Sequence, residues 1–406
     1  MENLGQAKKT QLRDIPMDVV MDIFARVPAR TVASCRSVSK QWRSIIGRPG
    51  FTELFLTMSW TRPRLLLFTF QFEGKIFNFS LPQPQNPDDE SSLVATRYHV
   101  HYNHSPTDFS FRFGSPLGGF ICRRDRDRDG GVTMVICNPI TGESVSLPKV
   151  ESMTSVETIP FLGYDPVDKQ FKVLGIKDDG VSNTHHIVTL ENGNHLWRAI
   201  QCKPHFPKSR GICIDGVLYY TAGVDPGLWV NMIVCFDFRS EKFSFISIDD
   251  EMMNASCTLI NYKGKLSALQ FTCPRPRRLE FWVLEDAVKR KWSKKIYIFP
   301  SFRQSFVDRS GSDIVGMTGQ GEVVLSSPIL SDPFYIYCYK LESNRFTRVR
   351  IQGLEGFKRK EVYTSIDYAE NLKLMTEYGK GAKSNTFSPK EAISSLEYAN
   401  EASKVK

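Results

Sequence analysis

The stretch CIDGVLYY (residues 213–220) sets an Asp-Gly pair between two apolar runs, the short-range signal of a tight β-hairpin. The same device recurs in YDPVDKQFKVL (164–174), NYKGKLSAL (261–269) and TGQGEVVL (318–325). Asp168, Gly216, Gly264 and Gly321 stand 48, 48 and 57 residues apart. A second marker, a polar turn leading into a strand, ends each unit: TGESVSLP, NGNHLWRAI, RSEKFSFISI, KRKWSKKI and SNRFTRVRI. Its anchors Leu147, Ile200, Ile248, Ile296 and Ile351 are spaced 53, 48, 48 and 55. Two independent markers therefore share one period. A unit of roughly 40 to 50 residues with about four strands is what a propeller blade looks like in sequence, because each small sheet must cover its faces against its neighbours.

Working outward, five full units fit between residues 108 and 352. RLLLFTF, GKIFNFSL and TRYHVHY supply three further strands, and EVYTSIDY (361–368) supplies the fourth and closes the ring beside the first blade. The reading is a large all-β, propeller-like domain of about six blades over residues 60–375. The competing reading is a β-sandwich followed by a second β domain. Residues 376–406 form a polar tail in which Ser388-Pro389-Lys390-Glu391 has the pattern of a helix start, and the rest is expected to be mobile.

The segment before the repeat has a different period. Val20, Ile23, Phe24 and Val27 recur at steps of three and four, as on an amphipathic helix that Pro28 stops. Thr31, Val32 and Cys35 fit a second short helix. Ser39 can cap a third, with Trp42, Ile45 and Ile46 on one face. Three helices of this length bury little by themselves, so a partner or the neighbouring domain is expected to cover part of the small α-helical bundle at residues 10–55.

The segment IPMDVVMDIFARVPARTVASCRSVSKQWRSIIGRPGF (15–51) resembles the F-box, the adaptor-binding motif of SCF-type ubiquitin ligase subunits. The resemblance rests on the opening Ile15-Pro16, acidic Asp18 and Asp22, the Ile23-Phe24 pair, the break at Arg26-Val27-Pro28 and the closing Val38-Ser39-Lys40-Gln41-Trp42-Arg43. RPRLLLFTFQFEGKIFNFSLPQ, CNPITGESVSLP, YDPVDKQFKVL, CIDGVLYY and WVLEDAVKRKWSK resemble the F-box-associated domain of a large plant family. The resemblances imply a substrate-recognition subunit without catalysis of its own. The F-box would hold a Skp-type adaptor, and through it a cullin, while the β domain holds the protein to be ubiquitinated. Carried over residue by residue, the adaptor-contacting set is Ile15, Pro16, Val20, Ile23, Phe24, Pro28, Val32, Val38 and Trp42.

Composition narrows the alternatives. Apolar residues at 41% and charged residues at 24% are those of an ordinary globular chain. No apolar run approaches the roughly 20 residues needed to cross a bilayer, and the N-terminus lacks the apolar core of a secretory signal, which leads us to expect a cytosolic or nuclear protein without a membrane partner. Nine scattered cysteines with no Cys-x-x-Cys pair read as reduced core residues. The net charge is +9, but residues 1–50 hold nine Lys/Arg against four Asp/Glu. More than half of the excess thus sits in the small bundle, which suits an acidic protein partner and argues against nucleic acid. A second reading stays open: a phosphate- or nucleic-acid-binding β domain using the basic runs 274–278, 289–295 and 357–360, with the F-box serving mainly its own turnover.

No nucleotide-binding, serine-hydrolase or zinc-protease motif is present, and no catalytic residue, cofactor or metal is assigned. His99 and His101 alternate on a strand near His104 but lack acidic or Cys companions at metal spacing, and His185-His186 reads as a solvated polar loop. In a four-stranded meander the loops joining second and third strands lie on one face. Here they are long and vary: RRDRDRDGG, KDDGVSNTHH, AGVDPGLWVN, TCPRPRRL and SSPILSDP. Long loops on a rigid scaffold are where recognition usually sits. The expected docking surface uses Trp229 as apolar anchor, with Arg275, Arg277 and Arg278 selecting an acidic or phosphorylated segment.

Overall fold

The structure is a computed structural model that describes residues 15–62, 64–84, 87–88, 91–98, 100–102, 114–126, 132–149, 157–178, 183–190, 195–224, 232–248, 257–272, 278–287, 289–298, 311–373 and 383–384. Four helices come first: α1 (Met17–Ala25), α2 (Ala29–Cys35), α3 (Lys40–Ile46) and α4 (Pro49–Thr61). The first three follow the sequence pattern, and the Ser39 hydroxyl caps α3 by accepting from the Trp42 backbone N–H at 3.0 Å. The fourth corrects the three-helix expectation. Pro49 sits at the first position of α4, where its missing N–H is not needed, so it starts a helix that buries Phe51 and Phe55.

Among the described residues the strands gather in six sheets, each a blade. The third to fifth blades follow chain order: Glu157–Asp165, Gln170–Asp178, Asn183–Thr189 and Arg198–Ile200; then Ile212–Ile214, Val217–Gly223, Met232–Asp237 and Lys242–Ser247; then Thr258–Tyr262, Lys265–Thr272, Arg278–Asp286 and Lys291–Ile298. Tight turns join first to second strands. At Asp215-Gly216 (φ 48° and 83°) and Lys263-Gly264 (52° and 81°) both central residues are left-handed, the backbone that matches strand twist. At Gly216 a Cβ would also lie 2.8 Å from the Pro166 ring. The inner strands surround a central cavity of about 1090 Å³.

The ring closes twice between the first and sixth blades. Val362–Tyr368 lies antiparallel on Leu65–Phe72, from Phe70 opposite Val362 to Leu65 opposite Tyr368, as expected of EVYTSIDY. In the sixth blade, Asp313–Met317, Glu322–Ser326, Phe334–Lys340 and Arg345–Gln352 accept Ser92–Val94 as a parallel fifth strand, so the first blade's own chain reaches across the seam. Gly316 is needed there, since a Cβ would sit 2.7 Å from Ile366 on the closing strand. Phe357, just before that strand, packs among Phe70, Phe72, Phe77 and Phe79. Apolar clusters lie between successive blades, and the one shared by the sixth and first is extensive, joining Leu66, Phe68 and Phe79 to Val324, Phe334, Ile336 and Ile351.

In the second blade (Ile121–Arg126, Val132–Cys137 and Glu143–Ser146), Lys383–Ser384 from the tail adds an outer strand. The tail helix expected near Ser388 lies outside the described residues. Eight cysteines are described and all are free, five of them buried, as read from sequence. Among the described residues no helix is long and apolar enough to cross a membrane.

The bundle rests on the propeller face that carries the tight turns, here the near face. Ile140, from the turn after Val132–Cys137, and Leu372, just beyond the closing strand, enter the bundle's apolar core with Val20, Phe24, Val32 and Phe55. Trp60 of α4 meets Tyr164 edge to face at 6.3 Å. This is the covering that a bundle of short helices requires. A polar clamp fixes it. The Glu370 carboxylate accepts from the Ala29 N–H at the start of α2 (2.9 Å) and from the Tyr98 hydroxyl (3.1 Å), and lies 3.8 Å from Arg62. Pro28, the residue before α2, has no side chain able to cap it, so Glu370 does so from 341 residues away. Arg62 donates to the Val27 carbonyl at 2.9 Å and lies over the Phe55 ring. Next in the chain, Asn371 donates to the Gly118 carbonyl at 2.7 Å, and Asn138 donates to the Asn371 carbonyl at 2.9 Å.

Two predictions follow from the seam and the clamp. A chain ending at residue 355 loses Phe357 and the closing strand, leaving the inner edge of the first blade unpaired. It should aggregate and melt at lower temperature, since each large buried side chain lost costs about 2–5 kcal/mol. A monomer as heat-stable as the full chain, by light scattering and thermal melting, would refute the role of the strand. Glu370→Ala should strand the Ala29 N–H, costing about 1–3 kcal/mol for a buried group left unsatisfied, and take one of its two partners from the Tyr98 hydroxyl. Hydrogen exchange should rise in α2 and at the domain junction before the blades respond, and unchanged protection of α2 would count against the clamp.

Candidate functional site

The nine bundle residues carried over from the motif divide by orientation. Val20, Phe24 and Val32 face inward and form the bundle's own core. Trp42 is half-buried, its ring 4.9 Å from Phe24 in an edge-to-face pair, so part of it packs the bundle and part remains at the surface. Pro16 and Pro28 are exposed as the residues preceding α1 and α2. Ile15, Ile23 and Val38 point outward at 38%, 49% and 66% exposure.

The outward set includes one residue the motif did not single out. Val19 is 44% exposed. Val19 and Ile23, one turn apart, form an open stripe on α1 beside the inward Val20 and Phe24, and exposed Ile15 lies just before the helix. That spacing was visible in the sequence. An apolar stripe left open on a helix whose other side is fully packed can bury a partner's apolar surface. On α1 itself Asp18 is exposed and Asp22 is tied to Arg26 at 2.8 Å, while α2 and α3 expose Arg30, Lys40 and Arg43. The hydrogen bond from Arg26 holds the Asp22 carboxyl below the usual carboxylate range. The exposed charge not engaged in that pair is therefore mostly positive.

The opposite surface of the propeller, the far face, is where second strands end and third strands begin. The chain leaves at Asp178, Gly223, Thr272 and Ser326 and returns at Asn183, Met232, Arg278 and Phe334. Arg278 is exposed at the start of its strand on this face, opposite Thr272. Trp229, Arg275 and Arg277 lie outside the described residues, as do His99 and His104. One connection, 327–333, is described in full. It is anchored to the closing segment by backbone bonds from Leu330 to Lys360 and from Val362 to Pro328, and by a Lys358–Asp332 ion pair at 2.7 Å, with Ile329 exposed.

The basic run 289–295 is partly consumed by the fold. Lys294 pairs with Glu280 at 2.6 Å and lies over the Trp282 ring. Burial acts to raise the Glu280 carboxyl pKa, but hydrogen bonds from Lys294, Gln270 and Trp282 hold it below its ordinary value. The reading of His185-His186 as a solvated loop is corrected. Both lie in the strand Asn183–Thr189, and His185 is buried against the fourth blade because residues two apart on a strand share a face and its companion Ile187 belongs to the core.

Comparison with known proteins accords with this two-part layout. Residues 12–54 match the F-box domain family and residues 65–369 the F-box associated beta propeller domain family. The chain is 61% identical over 371 residues to F-box protein At1g53790 of Arabidopsis thaliana, covering 89% of this chain and 82% of that protein. It is 43% identical over 393 residues to F-box protein DOR of the same plant, covering 92% of this chain and 99% of that protein. The chain belongs to the F-box protein family, in the group that joins an F-box to an F-box-associated β-propeller.

Proposed function

We propose that this protein is a non-catalytic substrate-recognition subunit of an SCF-type ubiquitin ligase, whose bundle binds a Skp-type adaptor, and through it a cullin, while its propeller binds the protein to be modified. The observation that carries the reading is the open apolar set Ile15, Val19 and Ile23 on an F-box whose inward residues are taken up by its own core and by the propeller. The stripe, with Val38 and the outer part of Trp42, supplies apolar contact. The exposed Arg30, Lys40 and Arg43 favour an acidic partner and its rapid encounter. Because Val20, Phe24 and Val32 hold the bundle together, their part in adaptor binding is to support the outward residues.

Placing charge on the stripe tests this without disturbing the core. Val19→Asp with Ile23→Asp should leave the melting temperature nearly unchanged and weaken capture of a Skp-type adaptor by about 2 kcal/mol or more, roughly thirtyfold, the scale of interface hot spots. Unaltered affinity in the folded double variant would sink the assignment.

On the substrate side, we place docking on the far face, with Trp229 as apolar anchor and Arg275, Arg277 and Arg278 selecting an acidic or phosphorylated segment. The exposure of Arg278 on that face and the position of the bundle on the other side support this choice. Affinity capture should lose a common set of proteins with Trp229→Ala and with Arg277→Glu plus Arg278→Glu, while adaptor binding is retained. Identical capture profiles for wild type and both variants would remove this face from consideration.

A further inference from the structure

His185, Cys202 and His205 converge at the junction of the third and fourth blades. His185 projects from Asn183–Thr189 toward the fourth blade. Cys202 and His205 stand on the connection from Arg198–Ile200 to the short strand Phe206–Pro207. The run Cys202-Lys203-Pro204-His205 has a Cys-x-x-His spacing, which lets one loop present two donors to one ion. The nearest donor atoms of the three side chains all lie within 4.8 Å of one another. Cys202 Sγ is 3.7 Å from His205 Nδ1, close to the separation of roughly 3.5 Å between two ligands of a tetrahedral ion with bonds of about 2.0 and 2.3 Å.

The environment asks for something more than packing. His185 is 2% exposed, and its Nε2 is buried with no hydrogen-bond partner among the described residues. An unpaired polar atom in such a place is costly. The two imidazole rings lie 4.8 Å apart and meet Phe243, while His205 also meets Phe245. His205 is completely buried, with Nε2 2.5 Å from the Tyr220 hydroxyl and Nδ1 3.0 Å from the Lys203 carbonyl. A ring held at Nε2 by a hydroxyl, with a thiol 3.7 Å from Nδ1, has the orienting neighbour usual for a ligating histidine.

We propose that His185, Cys202 and His205 form a zinc site joining the third and fourth blades, with the Tyr220 hydroxyl orienting His205. Two imidazoles and a thiolate suit zinc, which favours mixed nitrogen and sulfur donors. On loading, Cys202 releases its proton to solvent, and the His205 ring proton shifts from Nδ1, where it faces the Lys203 carbonyl, to Nε2, where it donates to the Tyr220 hydroxyl, leaving the Nδ1 lone pair for the ion. Water would complete the four ligands from the partly exposed side of Cys202. The ion would tie the inter-blade connection to the strand beside it, on the far face.

The test uses the full chain stripped with chelator and titrated with Zn²⁺, and with Co²⁺ as a spectroscopic probe. Wild type should bind one ion per chain, show the thiolate-to-cobalt charge-transfer band and melt at higher temperature when loaded. Cys202→Ser should lose the band, bind zinc about 10- to 100-fold more weakly or worse, and gain no heat stability from it. His185→Gln should weaken zinc binding likewise, which keeps the test readable if one variant fails to fold. Absence of the band in wild type, or a band unchanged in Cys202→Ser, would overturn the site. Retention of Cu⁺ but not Zn²⁺ in a parallel titration would overturn the assignment of the metal.

Discussion

The pairing of Val362–Tyr368 with Leu65–Phe72 is the constraint on which the rest of the molecule depends. A blade has two broad faces, and only neighbouring blades are placed to cover them. The apolar clusters between blades are mutually dependent in that sense, because opening the ring at one seam exposes two faces at once. The seam is secured accordingly. An inner strand arrives from the C-terminal side, an outer strand crosses from the N-terminal side, and Phe357 fills the aromatic layer between them. The closing strand also runs straight into Glu370 and Leu372, which hold the bundle, with Asn371 between them tied to Gly118 and Asn138 of the propeller. One stretch of chain thus completes the scaffold and positions the helices on it.

The parts of this architecture that local chemistry writes were legible in the sequence. A left-handed turn needs residues that tolerate it, so Asp215-Gly216 and Lys263-Gly264 announce hairpins, and their spacing announces blades. The Ser39 cap was legible for the same reason. Pro49 was not, because proline can end a helix or begin one, and only the burial of Phe51 and Phe55 decides between the two. His185 was misread because a polar pair after KDDGVSN looks like loop, whereas its burial depends on a connection some twenty residues further on and on a neighbouring blade.

The candidate surface shows the same boundary. A family motif marks positions without saying which way each side chain turns, so inward Val20, Phe24 and Val32 and outward Ile15, Ile23 and Val38 were grouped together. The step of four from Ile15 through Val19 to Ile23 was the available signal for the outer face. Glu370 had no such signal. A lone glutamate after a strand carries nothing in its neighbourhood to show that its carboxylate ends at the Ala29 N–H, beside Arg62, because that meeting is a product of ring closure.

The clamp also has a consequence in time. Ala29 and Glu370 are 341 residues apart, so at ordinary synthesis rates of roughly 5–20 residues per second the start of α2 waits on the order of tens of seconds for its capping carboxylate. During that wait the first blade lacks its inner strand and the bundle lacks Leu372. A ribosome that stops early therefore releases a chain whose helices have no fixed seat and whose first sheet has a raw edge. The clamp thus acts as a check on length: only a chain that has reached Leu372 can set the N-terminal module in register with its scaffold.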